Sequence, residues 1–401
     1  MARYLTPGVY KEEVLPVTNL ELLTGVPAFL GIANPQPPVK DPQLLTSWDQ
    51  KLFQQKFGDP IPGSHLFYAV RGFFENGGLQ CYVVPLQDGS VSSLEAGLAL
   101  LEPLETIDLI CAPDILALRS DPQQSGRWVL ADPVQVSEKQ RQVMEHCARQ
   151  GDRFAILDAL PGADLETVAT QRRALGRTIA SSYAALYYPW IRPIGSAIEG
   201  SQDGTQKGSG FVPPCGHIAG VYARTDQQFG VFKAPANEVL KGVIELEVNL
   251  NNDQQGDLNP QGINALRVFP GRGIRVWGAR TISPEPWRYV NVRRLFITLH
   301  RWIDLNLADV VFEPNDQRLW AQITRELTDY LTDWYRKGAL QGASPETAFY
   351  VKCDAETNPP AKRDIGQVTT EIGLAAAVPG EFIVIRIIQS PDSTTLSTAV
   401  S

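Results

Sequence analysis

VPAFLGIA, residues Val26–Ala33, holds eight residues with no charge among them. A run this short is below the usual length of a helix, and its unbroken apolar character fits a strand covered on both faces. Three further runs have the same form: QCYVVPL (Gln80–Leu86), IDLICAP (Ile107–Pro113) and RFAILDA (Arg153–Ala159). Helical patterns separate them. SHLFYAVRGFFENGG stops at Gly77 and Gly78, SSLEAGLALLE follows, SEKQRQVMEHCARQG has Ser137 as its N-cap and Gly151 as its stop, and ADLETVATQRRALG closes the series. Apolar strands alternating with amphipathic helices predict an α/β unit with a largely parallel sheet, to which SSYAALYYPWI (Ser181–Ile191) adds a strand.

Further along, the pattern changes. SAIEGSQDGTQKGSG (Ser196–Gly210) is poor in apolar residues and reads as an exposed loop, with a short helix over His217–Asp226 after it. VIELEVNL (Val243–Leu250) alternates, with Ile244, Leu246, Val248 and Leu250 on one side, which predicts a half-solvated strand. NNDQQGDLNPQG then reads as a polar turn region, and GINALRVF and GIRVWGART as strands around the PGRG turn at Pro270–Gly273. Two helices follow. The first carries VNVRRLFITLHRWIDLNL; in the second Leu319, Ile323, Leu327, Leu331 and Trp334 form one stripe, with Gly338 just past its end. FYVKCD, a segment from Gly366 and EFIVIRII (Glu381–Ile388) finish an α+β half, and QSPDSTTLSTAVS reads as a polar tail.

The chain has 401 residues and a formal charge of -8, from 44 acidic and 36 basic side chains. Two or three domains are expected at this length. Such a charge argues against a dedicated nucleic-acid surface, which needs clustered cations. No apolar run approaches the roughly 20 residues that span a bilayer, and the start lacks the apolar stretch of a signal peptide, so no direct membrane insertion and a cytoplasmic location are expected. The five cysteines are dispersed, without a CxxC pair, and the four histidines are far apart, so neither metal nor cofactor is expected. PGRGIRVWG lacks the GxGxxG spacing and GTQKGSG lacks GxxxxGK[ST]. Asp108, Asp114, Asp152 and Asp158 lie near strand ends, where α/β enzymes place catalytic groups. No nucleophile elbow or carboxylate pair accompanies them, so helix caps and loop hydrogen bonds are their expected roles. An α/β enzyme using them is the alternative.

Two features suggest contacts beyond the chain. Trp287, Arg288, Arg293, Arg294, Arg301 and Trp302 mix arginine with aromatic residues, a composition shared by protein interfaces, internal packing and nucleic-acid grooves. The first 20 residues read as an extended arm, and both it and the last strand could pair at a neighbour's sheet edge or within the chain.

Several segments together resemble the tail sheath proteins of contractile phages and related injection systems. They are PGVY at Pro7–Tyr10, FENGG then CYVV at Phe74–Val84, SSYAALYYPWI, PPCGHIAGVYARTDQQFGVFKAPANE, INALRVFPGRGIRVWGARTI, YVNVRRLFITLHRWI, FEPND with LW at Phe312–Trp320, and EFIVIRI. That resemblance implies a linking arm over residues 1–20, an outer α/β domain over 21–240, an inner α+β domain over 241–388 and a flexible tail over 389–401. It implies a structural, non-catalytic subunit that joins copies of itself in stacked hexameric rings around an inner tube protein, with baseplate and terminator or cap proteins at the ends. Pro7, Gly8, Val9 and Tyr10 and the strand Phe382, Ile383, Val384, Ile385, Arg386 and Ile387 would be the exchanged elements that complete the inner sheets of adjacent subunits.

Overall fold

The four apolar runs lie in the middle of one twisted sheet because each can bury both of its faces. The computed structural model describes residues 22–35, 41–61, 63–116, 119–120, 128–129, 132–196, 210–381, 384–389 and 394–399. Its sheet has nine strands in the order β10 (Glu238–Val239), β13 (Gly273–Trp277), β12 (Ile263–Phe269), β8 (Ala184–Tyr188), β7 (Phe154–Asp158), β4 (Leu109–Cys111), β1 (Pro27–Ile32), β3 (Cys81–Leu86) and β2 (Gln43–Leu45). The run at its heart comprises β1, β3, β4, β7 and β8, all parallel; β2 adds antiparallel to β3 at one edge. Alternate side chains divide cleanly: Ala28, Leu30, Ile110, Ala155 and Leu157 enter one core, and Phe29, Leu109, Cys111, Phe154 and Ile156 the other. Helices α3 (Val91–Leu101), α4 (Pro133–Gln150) and α5 (Leu165–Ala174) cover the first core. The second lies beneath α1 (Gln50–Phe57), α2 (Leu66–Glu75) and α6 (Cys215–Phe229). Two short antiparallel strands, β5 (Arg119–Ser120) and β6 (Trp128–Val129), precede α4.

The expected change of domain at 240–241 falls inside this sheet. Strand β12 pairs in parallel with β8, and β13 and β10 extend the sheet antiparallel. Ile263, Asn264, Ala265 and Leu266 are all buried, so the start of β12 belongs at an interior position of the sheet.

Three local readings change. Helix α4 starts four residues before Ser137: Asp132 caps it, Pro133 is its first residue, and the Ser137 hydroxyl donates back to Pro133 O. The segment Asn251–Gly262, expected as a turn, holds helix α7 (Asn252–Leu258), which Asn251 and Gln254 close with a reciprocal capping box. Strand β11 (Val243–Leu246) pairs with β9 (Ile191–Pro193) through a register shift between Val243 and Glu245. That extra residue breaks the alternation, so Leu246 is buried while Ile244 turns out to solvent.

A smaller unit follows the sheet. Helix α8 (Val290–Asn306) packs its Leu295, Leu299 and Trp302 against the stripe of α9 (Gln317–Arg336), where Leu319, Ile323, Leu327, Leu331 and Trp334 are buried as the spacing predicts. The Trp302 and Tyr330 rings stack at 4.1 Å. A two-stranded sheet of β14 (Phe349–Lys352) and β15 (Glu371–Leu374) closes this third core. Beyond it, β16 (Val384–Gln389) pairs antiparallel with β17 (Thr394–Ala399). The latter lies in the stretch expected as a flexible tail; its Thr-Thr-Leu-Ser-Thr sequence is rich in β-branched residues and pairs with one of the two hydrogen-bonding edges of β16.

Candidate assembly site

Where the amino-terminal segment joins the body, five residues are fastened between the sheet and α8. Gly25 holds φ +72, and a Cβ there would stand 2.5 Å from the Cα of Ala223 on α6, so the turn into β1 needs glycine. Asp108, just ahead of β4, accepts hydrogen bonds from the Gly25 and Val26 amides at 3.0 and 2.6 Å. Arg294 of α8 donates to Asp108 at 3.0 Å and to both oxygens of Asp226 at 2.9 and 2.6 Å. Two helical turns on, Arg301 donates to the carbonyls of Leu23, Glu105 and Thr106.

All three members of the Arg294 triad are almost fully buried. Burial works against the guanidinium charge, but Asp226 and Asp108 outweigh it and hold Arg294 above its ordinary pKa. Asp226 is pushed up by burial, with Arg294 pulling the other way. A site with one cation between two carboxylates resists removal of any partner, because the remaining charges stay in a dry interior.

The carboxyl-terminal segment has anchors of its own. Arg280 Nε meets the two Glu381 oxygens at 3.0 and 3.1 Å, three residues before β16. Ahead of that, the backbone of Ala375 and Ala377 bonds to Ala339, Gln341 and Ala348, and the Asn291 amide donates to Phe232 O and Ala377 O. Both ends therefore leave from roots held by residues 280–301.

The residues expected to make contacts fall into two groups. Pro7, Gly8, Val9, Tyr10, Phe382 and Ile383 lie outside the described residues, as does most of the loop expected over 196–210; Val384, Ile385, Arg386 and Ile387 form β16. Of the arginine and aromatic set, Arg293, Arg294, Arg301 and Trp302 are buried within the chain. Arg293 stacks over Tyr183 at 3.6 Å and over Trp287 at 4.5 Å. Arg288 remains half-exposed beside Glu285. Sequence reasoning missed Asp108 and Asp226 as the partners of Arg294. The available signal was position: Arg294 and Arg301 share a helix face with Ile297, and arginines on a core-facing stripe need buried acids or carbonyls.

The strand-end acids are built into the framework. β1 and β4 diverge to opposite sides at the carboxyl end of the sheet, the position where open α/β sheets bind ligands. Asp114 spans it, accepting from the Ile32 amide at 2.6 Å, the His65 amide at 2.5 Å and the Ser64 hydroxyl at 2.7 Å. Burial lifts its pKa to about 6 against these hydrogen bonds. Asp158 accepts from the Cys215 amide at 2.8 Å at the start of α6, and burial lifts it to about 7. Asp152 pairs with its neighbour Arg153. Among the described residues no group of three or more His, Cys, Asp and Glu side chains is arranged to hold a metal ion.

Residues 132–282 match the model of the phage tail sheath protein central domain, and residues 283–390 that of the phage tail sheath C-terminal domain. The chain is 31% identical to a subunit in the cryo-EM structure of the anti-feeding prophage helical sheath in contracted state, covering 96% of this chain and all of that one, with a TM-score of 0.73. It belongs to the family of contractile tail sheath proteins. A second solved relative, in the sheath complex of the PVC extracellular contractile injection system, is 28% identical over 98% of this chain and 99% of that one, with a TM-score of 0.71. The tail sheath protein of Vibrio phage KVP40 is 30% identical over 183 residues, and that of Enterobacteria phage T4 28% over 198. These alignments span 44% and 47% of this chain but only 26% and 29% of the phage proteins, which are far longer. The boundary between the two matched domains, at 282–283, follows the last residue of the first core, Ile282.

Proposed function

We propose that the chain is the structural subunit of a contractile sheath, joined to copies of itself in stacked hexameric rings around an inner tube and shortening on triggering to drive that tube through a target envelope. The observation that carries this reading is the full-length likeness to a helical sheath at 31% identity. Baseplate and terminator or cap proteins are the further partners, and assembly takes place in the cytoplasm. Neighbouring subunits are linked by the amino-terminal arm and by the strand at Phe382–Ile387, which complete the small β14–β15 sheet of an adjacent copy. Two facts support that linkage: each terminal segment leaves from a tightly bonded root, and a two-stranded sheet has two outer edges. The work of contraction comes from the difference in subunit contacts summed over many copies, without catalysis. The fixed structural bonds of Asp108, Asp114 and Asp158 support that last point.

Deletion of residues 1–15 tests the reading. The truncated chain should stay folded, with the melting profile of the parent, yet form no striated cylinders in negative-stain microscopy when mixed with its tube and baseplate proteins. Normal cylinders from the truncated chain would overturn the linking role, and small dispersed particles from the full chain under the same conditions would overturn the sheath reading.

A further inference from the structure

The segment QRRALGR at Gln171–Arg177 and the start of the smaller unit enclose a cleft of about 580 Å³. Five arginines line it: Arg172, Arg173, Arg177, Arg280 and Arg288. Among the described residues two of them have carboxylate partners, Glu381 on Arg280 and Glu285 on Arg288. Arg172 spends its guanidinium on the carbonyls of Gln261, Gly176 and Ile282, and Arg173 bonds to the Thr170 hydroxyl. Among the described residues no ion pair reaches Arg172, Arg173 or Arg177. Burial, and after it the charge of Arg177, brings Arg172 down to about 10. Glu381 on Arg280 shows the form of anion that this lining accepts.

A matching surface lies elsewhere on the same chain. The end of α8 and the turn that leads to α9, together Asp304–Asp316, contain Asp304, Asp309, Glu313 and Asp316 and no lysine or arginine. Phe312 at the tip of the turn is fully exposed, at 102%, and Val311 beside it is 59% exposed. Phe312 also holds φ +74, a conformation that a bulky side chain rarely adopts. The turn is rigid, because the Val311, Glu313 and Asp316 amides bond within it and Asn315 bonds to Gln367 O and to the Trp320 indole. A stiff acidic loop that displays an aromatic ring is preformed for a partner rich in arginine.

We propose that the arginine cleft receives the Asp304–Asp316 loop of a second copy of this chain, with Asp309 and Glu313 facing the unpaired arginines and Phe312 stacking on a guanidinium plane. The loop of the same chain cannot fill the cleft. Residues 280–288 precede α8 and residues 309–313 follow it, so the 17-residue helix holds the two about 25 Å apart. A contact between two different patches is head-to-tail, and such contacts extend into rings or helical filaments instead of closing a dimer. The proposal rests on the self-assembly reading for its setting, but the contact itself can be measured without a cylinder.

The test measures binding between full-length chains, one labelled, for the parent, an Arg177→Glu, Arg288→Glu cleft variant, an Asp309→Arg, Glu313→Arg loop variant and a chain carrying both reversals. All changed side chains are exposed or half-exposed, and unchanged thermal melts confirm folding. The expected result is that the parent pair binds, that each single-sided reversal weakens binding about tenfold or 1.4 kcal/mol, and that the doubly reversed pair regains it. Higher salt should weaken the parent pair. Binding that is absent, or that ignores the cleft variant, overturns the contact even where cylinders form. In microscopy, failure of the parent chain to form cylinders counts against the sheath reading alone; cylinders from each single-sided full-length variant at the parent's yield also overturn the contact. Loss of tube attachment alone in the loop variant, with sheath self-assembly intact, assigns the loop to the tube and overturns it as well.

Discussion

The chain uses arginine in two opposite ways. At the amino-terminal root, Arg294 sits 2% exposed with two carboxylates on its guanidinium, and every charge there has an internal partner. At the cleft formed by Arg172, Arg173, Arg177, Arg280 and Arg288, cations outnumber their carboxylate partners among the described residues, and Arg173 and Arg177 are exposed with Arg288 half-exposed. The first arrangement completes the fold of one subunit; the second leaves positive charge unmatched until something else arrives. Residue type alone therefore does not mark an interface. What separates the two sites is whether the chain itself supplies the counter-charge.

The sharpest way to break the comparison is to remove the cation at the closed site. Arg294→Met leaves Asp108 and Asp226 buried without their counter-charge, and loss of one member of such a group costs about 3–5 kcal/mol. Urea unfolding of the variant should show that loss, or yield no folded protein. An Asp108→Asn, Asp226→Asn, Arg294→Met triple variant should recover part of it, since the unpaired charges are gone. A single Arg294→Met variant as stable as the parent would mean that the triad is not the closed site described above.

A second test asks how dry the sheet end is. Burial raises Asp158 from 3.8 to about 7, opposed by the Cys215 hydrogen bonds. The folded state therefore keeps a proton that the unfolded chain releases. Its contribution is complete below about pH 4 and is lost as pH rises through about 7. His65 and His217, lowered to about 4 and 3 chiefly by burial, run the other way, since their neutral folded forms contribute above about pH 6.5 and lose ground on acidification. The parent's net slope mixes both sets. Asp158→Asn keeps an acceptor for the Cys215 amide and removes one set, so the variant should gain on the parent by up to a few kcal/mol between pH 4 and 8. A difference flat across that range would mean that Asp158 is hydrated.

A third, smaller effect probes packing where charge plays no part. Helices α2 and α6 touch so closely that a Cβ on Gly216 would lie 2.1 Å from Ala69 O. Gly216→Ala should cost about 1–3 kcal/mol in chemical unfolding, the usual penalty for overpacking. A neutral result would show that the two helices can separate without strain.

These sites also mark what the sequence could disclose. The parallel strands were legible because VPAFLGIA, IDLICAP and RFAILDA each bury both faces, and α9 because its stripe keeps helical spacing over five positions. Strand β12 was legible as a strand, but its place in the large sheet depends on pairing with β8, about 80 residues earlier, which no local pattern encodes. Helix α7 was hidden by a composition of Asn, Asp, Gln and Gly that fits a turn equally well, and only the Asn251 and Gln254 caps decide it. The assembly residues were legible as types and not as roles. Arg294 and Arg288 are six positions apart on one segment, yet one is sealed inside and the other borders the open cleft, because Asp108 and Asp226 arrive from distant parts of the chain.

The smallest expected effect is the most informative about the open site. Arg173 and Arg177 are exposed, and neither has an ion pair among the described residues, so Arg173→Ala and Arg177→Ala remove no internal contact of weight. Surface changes of this kind stay within about 0.5 kcal/mol of the parent. Arg177→Ala should even gain slightly, since its charge opposes that of Arg172. Unfolding curves that superimpose on the parent, beside the large loss at Arg294, would separate arginines kept for the subunit from arginines free to act outside it. A loss above about 1 kcal/mol at Arg177 would instead mean that the cleft belongs to the fold, and the contrast between the two sites would collapse.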